Sequence, residues 1–293
     1  MLKSFLYSFK NQFRKKDQKQ KVGLEFTFDE KVKVISSEIL EFNFNGLWLD
    51  IDKLKSLVSS LDYVVLSHWK CCFLSCSYCV EKKTDDLNTV KHFDIMPIIE
   101  QLVDNGLITK HTQIIFGCGD ATLHPEFDKL MYYLINIGMK DVVINTSAMR
   151  HCHSIAEAMM KNITKLVVSL DAGCPYIYER VKGINKYDIS VANIKRYLEF
   201  ENTSASQVVI NYVLLNGIND NKKEILDWFM FSRNLGVKKL SIDIDEKWYN
   251  LLDTIPEYLK EILVFTKELS EFNNLEIEFS HRMSNLYEKI QGQ

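Results

Sequence analysis

No stretch of this 293-residue sequence stays apolar long enough to span a bilayer. That argues against a membrane-crossing helix. The first residues, MLKSFLYSFKNQFRKKDQKQK, scatter charge throughout and offer no small-residue cleavage site, so no export signal is expected. A cytoplasmic, reducing location follows as the expectation, and disulfides are rare there. Positive charge is not in excess either. The 36 basic and 39 acidic side chains leave −3, which gives no reason to expect nucleic acid as a partner. Repeats and low-complexity segments are absent. Cysteine is scarce, with seven in all, yet Cys71, Cys72, Cys76 and Cys79 fall within nine positions. Clustered thiols in such a chain point to metal ligation or catalysis.

What remains is an ordinary globular composition, 46% hydrophobic and 26% charged. The length suits one large domain or two small ones. Charge is unevenly spread: residues 1–21 carry seven basic side chains and one acidic. Leu2, Phe5, Leu6, Phe9 and Phe13 recur there at helical spacing. Residues 1–22 therefore read as a basic tail or an amphipathic helix. Peripheral membrane contact through residues 1–21 is the less favoured reading, because Gln18 to Lys21 looks like a linker.

Residues 23–60 predict a small antiparallel β-element and a linker helix. LEFTF, KVKVI, ILEFNFN and LWLDI alternate apolar and polar residues, with plausible turns at Asp29-Glu30 and Asn45-Gly46. From 61 to 245 the rhythm changes. DYVVLS, TQIIFG, DVVINTS, KLVVSLD, SQVVINYVLL and KKLSIDID are compact runs rich in Val, Ile and Leu, as strands buried on both faces should be. Between them lie FDIMPIIEQLVDNG, PEFDKLMYYLINIG, SIAEAMMKN, ISVANIKRYLEFEN and KKEILDWFMFSRNLG, with apolar residues at three-to-four spacing. Three of these end near a glycine, a helix stop. Six strand–helix units imply an α/β fold with a parallel sheet, a partial (β/α)6 TIM-like barrel. Residues 246–293 read as one more helix and a strand. In such folds chemistry sits at the carboxyl ends of the strands, and the cysteine cluster follows the first of them.

Cys72, Cys76 and Cys79 form C-x3-C-x2-C. A structural zinc site usually shows two pairs of ligands, and the second pair is missing here. Three thiolates on a short loop can instead hold three irons of a four-iron cube, leaving the fourth for an outside ligand. Cys71 would give the wrong spacing and reads as a neighbour.

This pattern resembles the radical S-adenosylmethionine (SAM) enzymes, whose signature is C-x3-C-x2-C with an aromatic residue before the last cysteine. Here Tyr78 is that aromatic. The resemblance implies a [4Fe-4S] cluster on Cys72, Cys76 and Cys79, and SAM as second cofactor. Family members carry Gly-Gly-Glu-Pro after the second strand, near the SAM amino group. This chain has Cys118-Gly119-Asp120-Ala121, which keeps a close backbone approach and a carboxylate but departs at Cys118 and Ala121. Thr146, Ser169 and Asp171 stand where family members present polar strand ends to SAM. Arg180 or Lys182 would pair with the methionine carboxylate, in a stretch that resembles Ile-Arg-Gly. The landmarks cover residues 62–245. The implied reaction is one-electron reduction of SAM, homolysis of a C–S bond, and hydrogen abstraction by a 5′-deoxyadenosyl radical. A flavodoxin or ferredoxin would supply the electron.

The substrate expectation is a small molecule: a sugar, nucleotide or metabolite. Absence of cysteines after Cys174 argues against a peptide maturase with extra clusters. A simpler maturase, or an activase of a glycyl-radical enzyme using the β-element to bind its partner, stays open. So does a non-catalytic, zinc-holding scaffold. Cys118, Cys152 and Cys174 sit just beyond strand ends and are candidates to return a hydrogen atom to a substrate radical, or are buried small hydrophobes. His151-Cys152-His153 reads as a rim segment rather than a metal clip.

Overall fold

The computed structural model describes residues 23–27, 31–35, 39–43, 51–67, 69, 72–79, 94–117, 119–201, 207–250, 255–273 and 275–291. The basic segment 1–22, both proposed hairpin turns, Cys71 and Cys118 lie outside them. Three short strands come first: β1 (Gly23–Thr27), β2 (Lys31–Ile35) and β3 (Ile39–Asn43). Helix α1 (Ile51–Leu57) leads to β4 (Tyr63–Ser67). Alternation then sets in with α2 (Met96–Asp104), β5 (Gln113–Phe116), a 3-10 turn (Ala121–Leu123), α3 (Phe127–Asn136) and β6 (Val142–Thr146). It continues through α4 (His153–Met160), β7 (Thr164–Ser169), α5 (Pro175–Lys182), α6 (Tyr187–Leu198) and β8 (Val208–Leu214). The last elements are α7 (Lys222–Leu235), β9 (Lys239–Ile244), α8 (Glu246–Asn250), α9 (Glu257–Asn273), β10 (Glu276–Phe279) and α10 (His281–Gln291).

All ten strands among the described residues share one sheet, in the order β10-β9-β8-β7-β6-β5-β4-β1-β2-β3. Pairs from β10 to β4, and β4 with β1, are parallel; β2 and β3 return antiparallel. The six expected barrel strands are β4 to β9. Each side adds to them: β10 on one, and β1 in parallel register on the other. The β-element thus extends the barrel's own sheet. The fold is α/β, a partial TIM-like barrel whose sheet does not close among the described residues.

Curvature shows in one ion pair. Lys165 on β7 reaches Glu278 on β10 at 3.6 Å, across two intervening strands. A flat sheet would hold β7 and β10 roughly 14 Å apart. The two side chains therefore meet across a concave face. Register puts Val65, Ile115 and Val143 on that face, where they form a small apolar cluster with Tyr63 and Val167 against it. The opposite parity, including Val64, Ile114, Val142, Leu166, Ile210 and Leu240, packs under the helices in the main core. From β4 to β6 both faces are buried, which is why those strands read as continuous apolar runs. In β7 and β9 the concave-face positions stay half-exposed.

Helix ends follow local chemistry. Helices α2, α3 and α7 run into Gly106, Gly138 and Gly236, all at positive φ. Asn221 caps α7, its side chain accepting from Glu224 N–H at 3.0 Å. Helix α5 was not read in advance; it is only eight residues long and buries Lys182 beside Ile177, Tyr178 and Val181. Helix α10 follows the expected terminal helix and strand as an extra element. Of LWLDI, only Ile51 is described, and it opens α1 instead of ending a strand.

Candidate active site

The loop after β4 carries the three spaced cysteines. Cys72 and Cys76 are half-buried and Cys79 is exposed. Two backbone hydrogen bonds dock this loop on the end of α5. Ser75 N–H donates to Lys182 O at 2.8 Å, and Ser77 N–H to Val181 O at 2.9 Å. The helix stops there at Gly183, φ +71°. A Cβ on that residue would stand 2.8 Å from the Ser75 carbonyl oxygen. Glycine meets both demands, the left-handed backbone and the close approach. Within the loop, Cys79 N–H closes a turn on Cys76 O at 3.0 Å.

Burial pushes the Cys72 thiol up to about 12, helped by the nearby Asp120 carboxylate. Burial also raises Cys76, with partial offset from the Lys182 ammonium. Such groups stay protonated near neutrality until a metal centre displaces the proton. Among the described residues no three His, Cys, Asp or Glu side chains are gathered to hold one ion. A single zinc would draw its ligands to within about 4 Å of each other. A four-iron cube takes each thiolate on a separate iron. Three soft donors on one short loop, with a buried cation beside them, fit the cube.

Tyr78 points its hydroxyl into the protein. It donates to Asp171 Oδ2 at 2.7 Å and lies 2.9 Å from Ser169 Oγ. Lys182 Nζ donates to the Tyr78 hydroxyl at 3.0 Å, to Ser169 Oγ at 3.1 Å, and to Asp171 Oδ2. Lys182 and Asp171 are both fully buried. Burial alone would lower the lysine's affinity for its proton, but Asp171 and the hydroxyl of Tyr78 hold it well above the ordinary lysine range. Asp171 adopts a left-handed backbone, φ +59°. Its Oδ1 accepts from Val213 N–H at 2.8 Å, and its carbonyl from Asn219 Nδ2 at 3.2 Å. The end of β7, the end of β8 and the cysteine loop therefore meet at one carboxylate.

Asp120 is a second hub, almost wholly buried. It caps the 3-10 turn, accepting from Thr122 N–H at 3.2 Å and Thr122 Oγ1 at 2.6 Å. Thr146 Oγ1 donates to it at 2.9 Å, and Ser147 N–H at 3.0 Å, with the Ser147 hydroxyl also bound. Gly119 beside it takes φ +65°. Thr146, Asp120 and Gly119 thus stand together at the ends of β5 and β6. Arg180 lies on the outer face of α5, where Nη2 donates to Gly217 O at 3.2 Å. Cys174 is half-buried before α5, whereas Cys152 is buried before α4. The ring of His151 stacks on Tyr197 at 4.6 Å.

Two features escaped the sequence. Asn219 binds Val213 O and Leu215 N–H as well as Asp171; its only signal was the turn composition NGIND. Asp243, at the end of β9, pairs with Arg282 through Nε at 3.1 Å and through Nη2, and accepts from Ser280 Oγ. Its carboxylate alternates with buried Ile242 and Ile244, but nothing local marks a partner 39 residues away.

Residues 66–229, more than half of the chain, match the radical SAM superfamily. The chain belongs to the radical SAM superfamily. Its cofactors are accordingly a [4Fe-4S] cluster and SAM, and it is an enzyme of that class. The GTP 3′,8-cyclase of Haemophilus influenzae (strain 86-028NP) is 26% identical over 174 residues, covering 57% of this chain and 49% of that protein. The GTP 3′,8-cyclase of Vibrio parahaemolyticus is 24% identical over 171 residues, 57% of this chain and 50% of that protein. The chain spans about half the length of the curated relatives it matches. Among solved structures, Streptococcus suis SuiB bound to precursor peptide SuiA superposes with a TM-score of 0.59 at 18% identity, covering 82% of this chain and 54% of that one. anSMEcpe with bound AdoMet gives 0.54 at 16%, covering 75% and 61%. These likenesses show the fold. Among the described residues no helix is long and apolar enough to cross a membrane.

Proposed function

We propose that this enzyme cleaves SAM reductively and abstracts a hydrogen atom from a small molecule, a sugar, nucleotide or metabolite. The observation that carries the reading is the three-cysteine loop after β4, docked on the end of α5 by Ser75 and Ser77 and joined to the carboxyl end of β7 by Tyr78. When bound, the cluster and SAM supply one-electron cleavage of a carbon–sulfur bond. Cys72, Cys76 and Cys79 hold the cluster. Gly119 and Asp120 shape the approach for the SAM amino group. Thr146, Ser169, Asp171 and Tyr78 stand at the strand ends toward the nucleoside. Of the two cations expected to meet the methionine carboxylate, Lys182 has all three N–H donors taken inside the protein, which leaves exposed Arg180 as the candidate. A flavodoxin or ferredoxin delivers the electron in the cytoplasm. Similarity to enzymes named for GTP supports the small-molecule class. Of the candidate hydrogen donors, Cys174 keeps some exposure and Cys152 has almost none.

A peptide or protein substrate is the second reading. Among the described residues strand β3 ends the sheet, and a sheet edge of this kind is one that an extended chain can join. Anaerobic reconstitution with iron and sulfide, reduction, and addition of SAM test the first reading. The expected product is 5′-deoxyadenosine, lost in Cys76→Ala. Tight zinc with no cluster overturns the enzyme reading. Product formation stimulated by a peptide and not by nucleotides, sugars or their phosphates overturns the small-molecule class.

A further inference from the structure

We propose that Lys182 is a positioning residue for the cysteine loop: paired with Asp171, it locks Tyr78 in place and so preorganises the three thiols before iron arrives. An ammonium has three N–H donors. Here they meet three acceptors, Asp171 Oδ2, the Tyr78 hydroxyl and Ser169 Oγ. The backbone carbonyl of the same residue accepts from Ser75 N–H. One residue thus grips the loop at two points, on either side of Cys76. Its partner Asp171 is fixed to β8 through Val213 N–H and to Asn219 through its carbonyl. The loop is thereby referenced to the sheet itself.

The energetics favour this role. Removing both charges of a buried pair for apolar groups is often neutral for stability, so such pairs are weak evidence for a stabilising function. Their best-attested use is to select one arrangement. The arrangement selected here is the loop's. Tyr78 keeps its ring half-exposed beside the cluster position while its hydroxyl is held inside. This role rests on reading the loop as the cluster site.

Hydrogen exchange of residues 72–79 in the iron-free full chain tests it, with Lys182→Met, Tyr78→Phe and the double variant Asp171→Asn/Lys182→Met. The expected result is amide exchange at Ser75 and Ser77 faster by about tenfold or more in all three, the effect of losing one charge-assisted hydrogen bond. Iron bound per chain after reconstitution should fall in parallel. Unchanged exchange in Tyr78→Phe and in the double variant, with only SAM affinity reduced, overturns the proposal. The double variant leaves no lone buried charge, and Tyr78→Phe removes a single hydroxyl, so a misfolded Lys182→Met does not block the test. Failure of the wild-type chain to take up a cluster would sink the proposed function. The exchange comparison in the iron-free chain would still decide the positioning role.

Discussion

Asp120 offers the sharpest test of the site's architecture, because two roles for it give different readouts. Sequence resemblance assigns it to the SAM amino group. The structure shows five donors already on its two oxygens: two backbone N–H groups and three hydroxyls. In Asp120→Ala the hydroxyls can turn to other acceptors, but the N–H groups of Thr122 and Ser147 cannot. Each buried donor left without a partner costs about 1–3 kcal/mol. Adding part of the lost hydroxyl bonds gives a loss of roughly 3–7 kcal/mol, a large share of the about 5–15 kcal/mol typical of a folded domain. Asp120→Asn keeps one acceptor oxygen but turns an amide donor toward Ser147, for roughly 2–4 kcal/mol. Urea unfolding of the iron-free chain, followed by tryptophan fluorescence, measures both. An internal control comes from Cys72, whose thiol is raised partly by this carboxylate. Either variant should speed Cys72 alkylation at mildly alkaline pH. A loss under about 1 kcal/mol, with Cys72 reactivity unchanged, would refute the hub and leave the carboxylate free for a ligand.

Gly183→Ala should cost about 1–3 kcal/mol, from left-handed strain and collision with the Ser75 carbonyl, and should lower iron uptake; equal uptake would show that the loop does not need this approach. Arg282→Ala removes both bonds to Asp243 and should destabilise the chain by roughly 2–3 kcal/mol, with exchange in α10 rising most. Cys152 supplies a pH prediction. Burial lifts its thiol from an ordinary 9.0 to about 12, so the folded chain keeps a proton that the unfolded chain gives up. Its contribution is therefore intact below pH 9 and lost as pH rises from 9 toward 12. The alkaline slope of stability should flatten in Cys152→Ala, and iodoacetamide should label exposed Cys79 well before Cys152.

Much of this was legible in the sequence, for physical reasons. Strands buried on both faces must be apolar throughout, so β4, β5, β6 and β8 announced themselves as Val- and Ile-rich runs, whereas β7 and β9 alternate buried with half-exposed positions. Helices that end on glycine announced their stops, as at Gly106, Gly138 and Gly236. Thiol spacing on one loop is a local property, so Cys72, Cys76 and Cys79 could be read in a single glance with Tyr78 between them. Helix α5 was missed because it is eight residues long and one of its four buried positions, Lys182, is a lysine that no periodicity rule counts as core.

Tertiary structure alone decided what those side chains do. Lys182 reads in the sequence as a candidate partner for the methionine carboxylate, beside a glycine. Only the meeting of α5 with the ends of β7 and β8 turns it inward onto Asp171 and, through Tyr78, onto the cysteine loop. Asp120 becomes a hub because β5 and β6 are neighbours in the sheet, which puts Thr146 and Ser147 against a turn 26 residues earlier. Asp243 meets Arg282 because β10 returns beside β9. Local pattern carries periodicity and spacing, which set the elements and the ligand loop. Hydrogen-bond partners distant in the chain depend on which strand ends meet, and that is fixed only once the sheet has rolled.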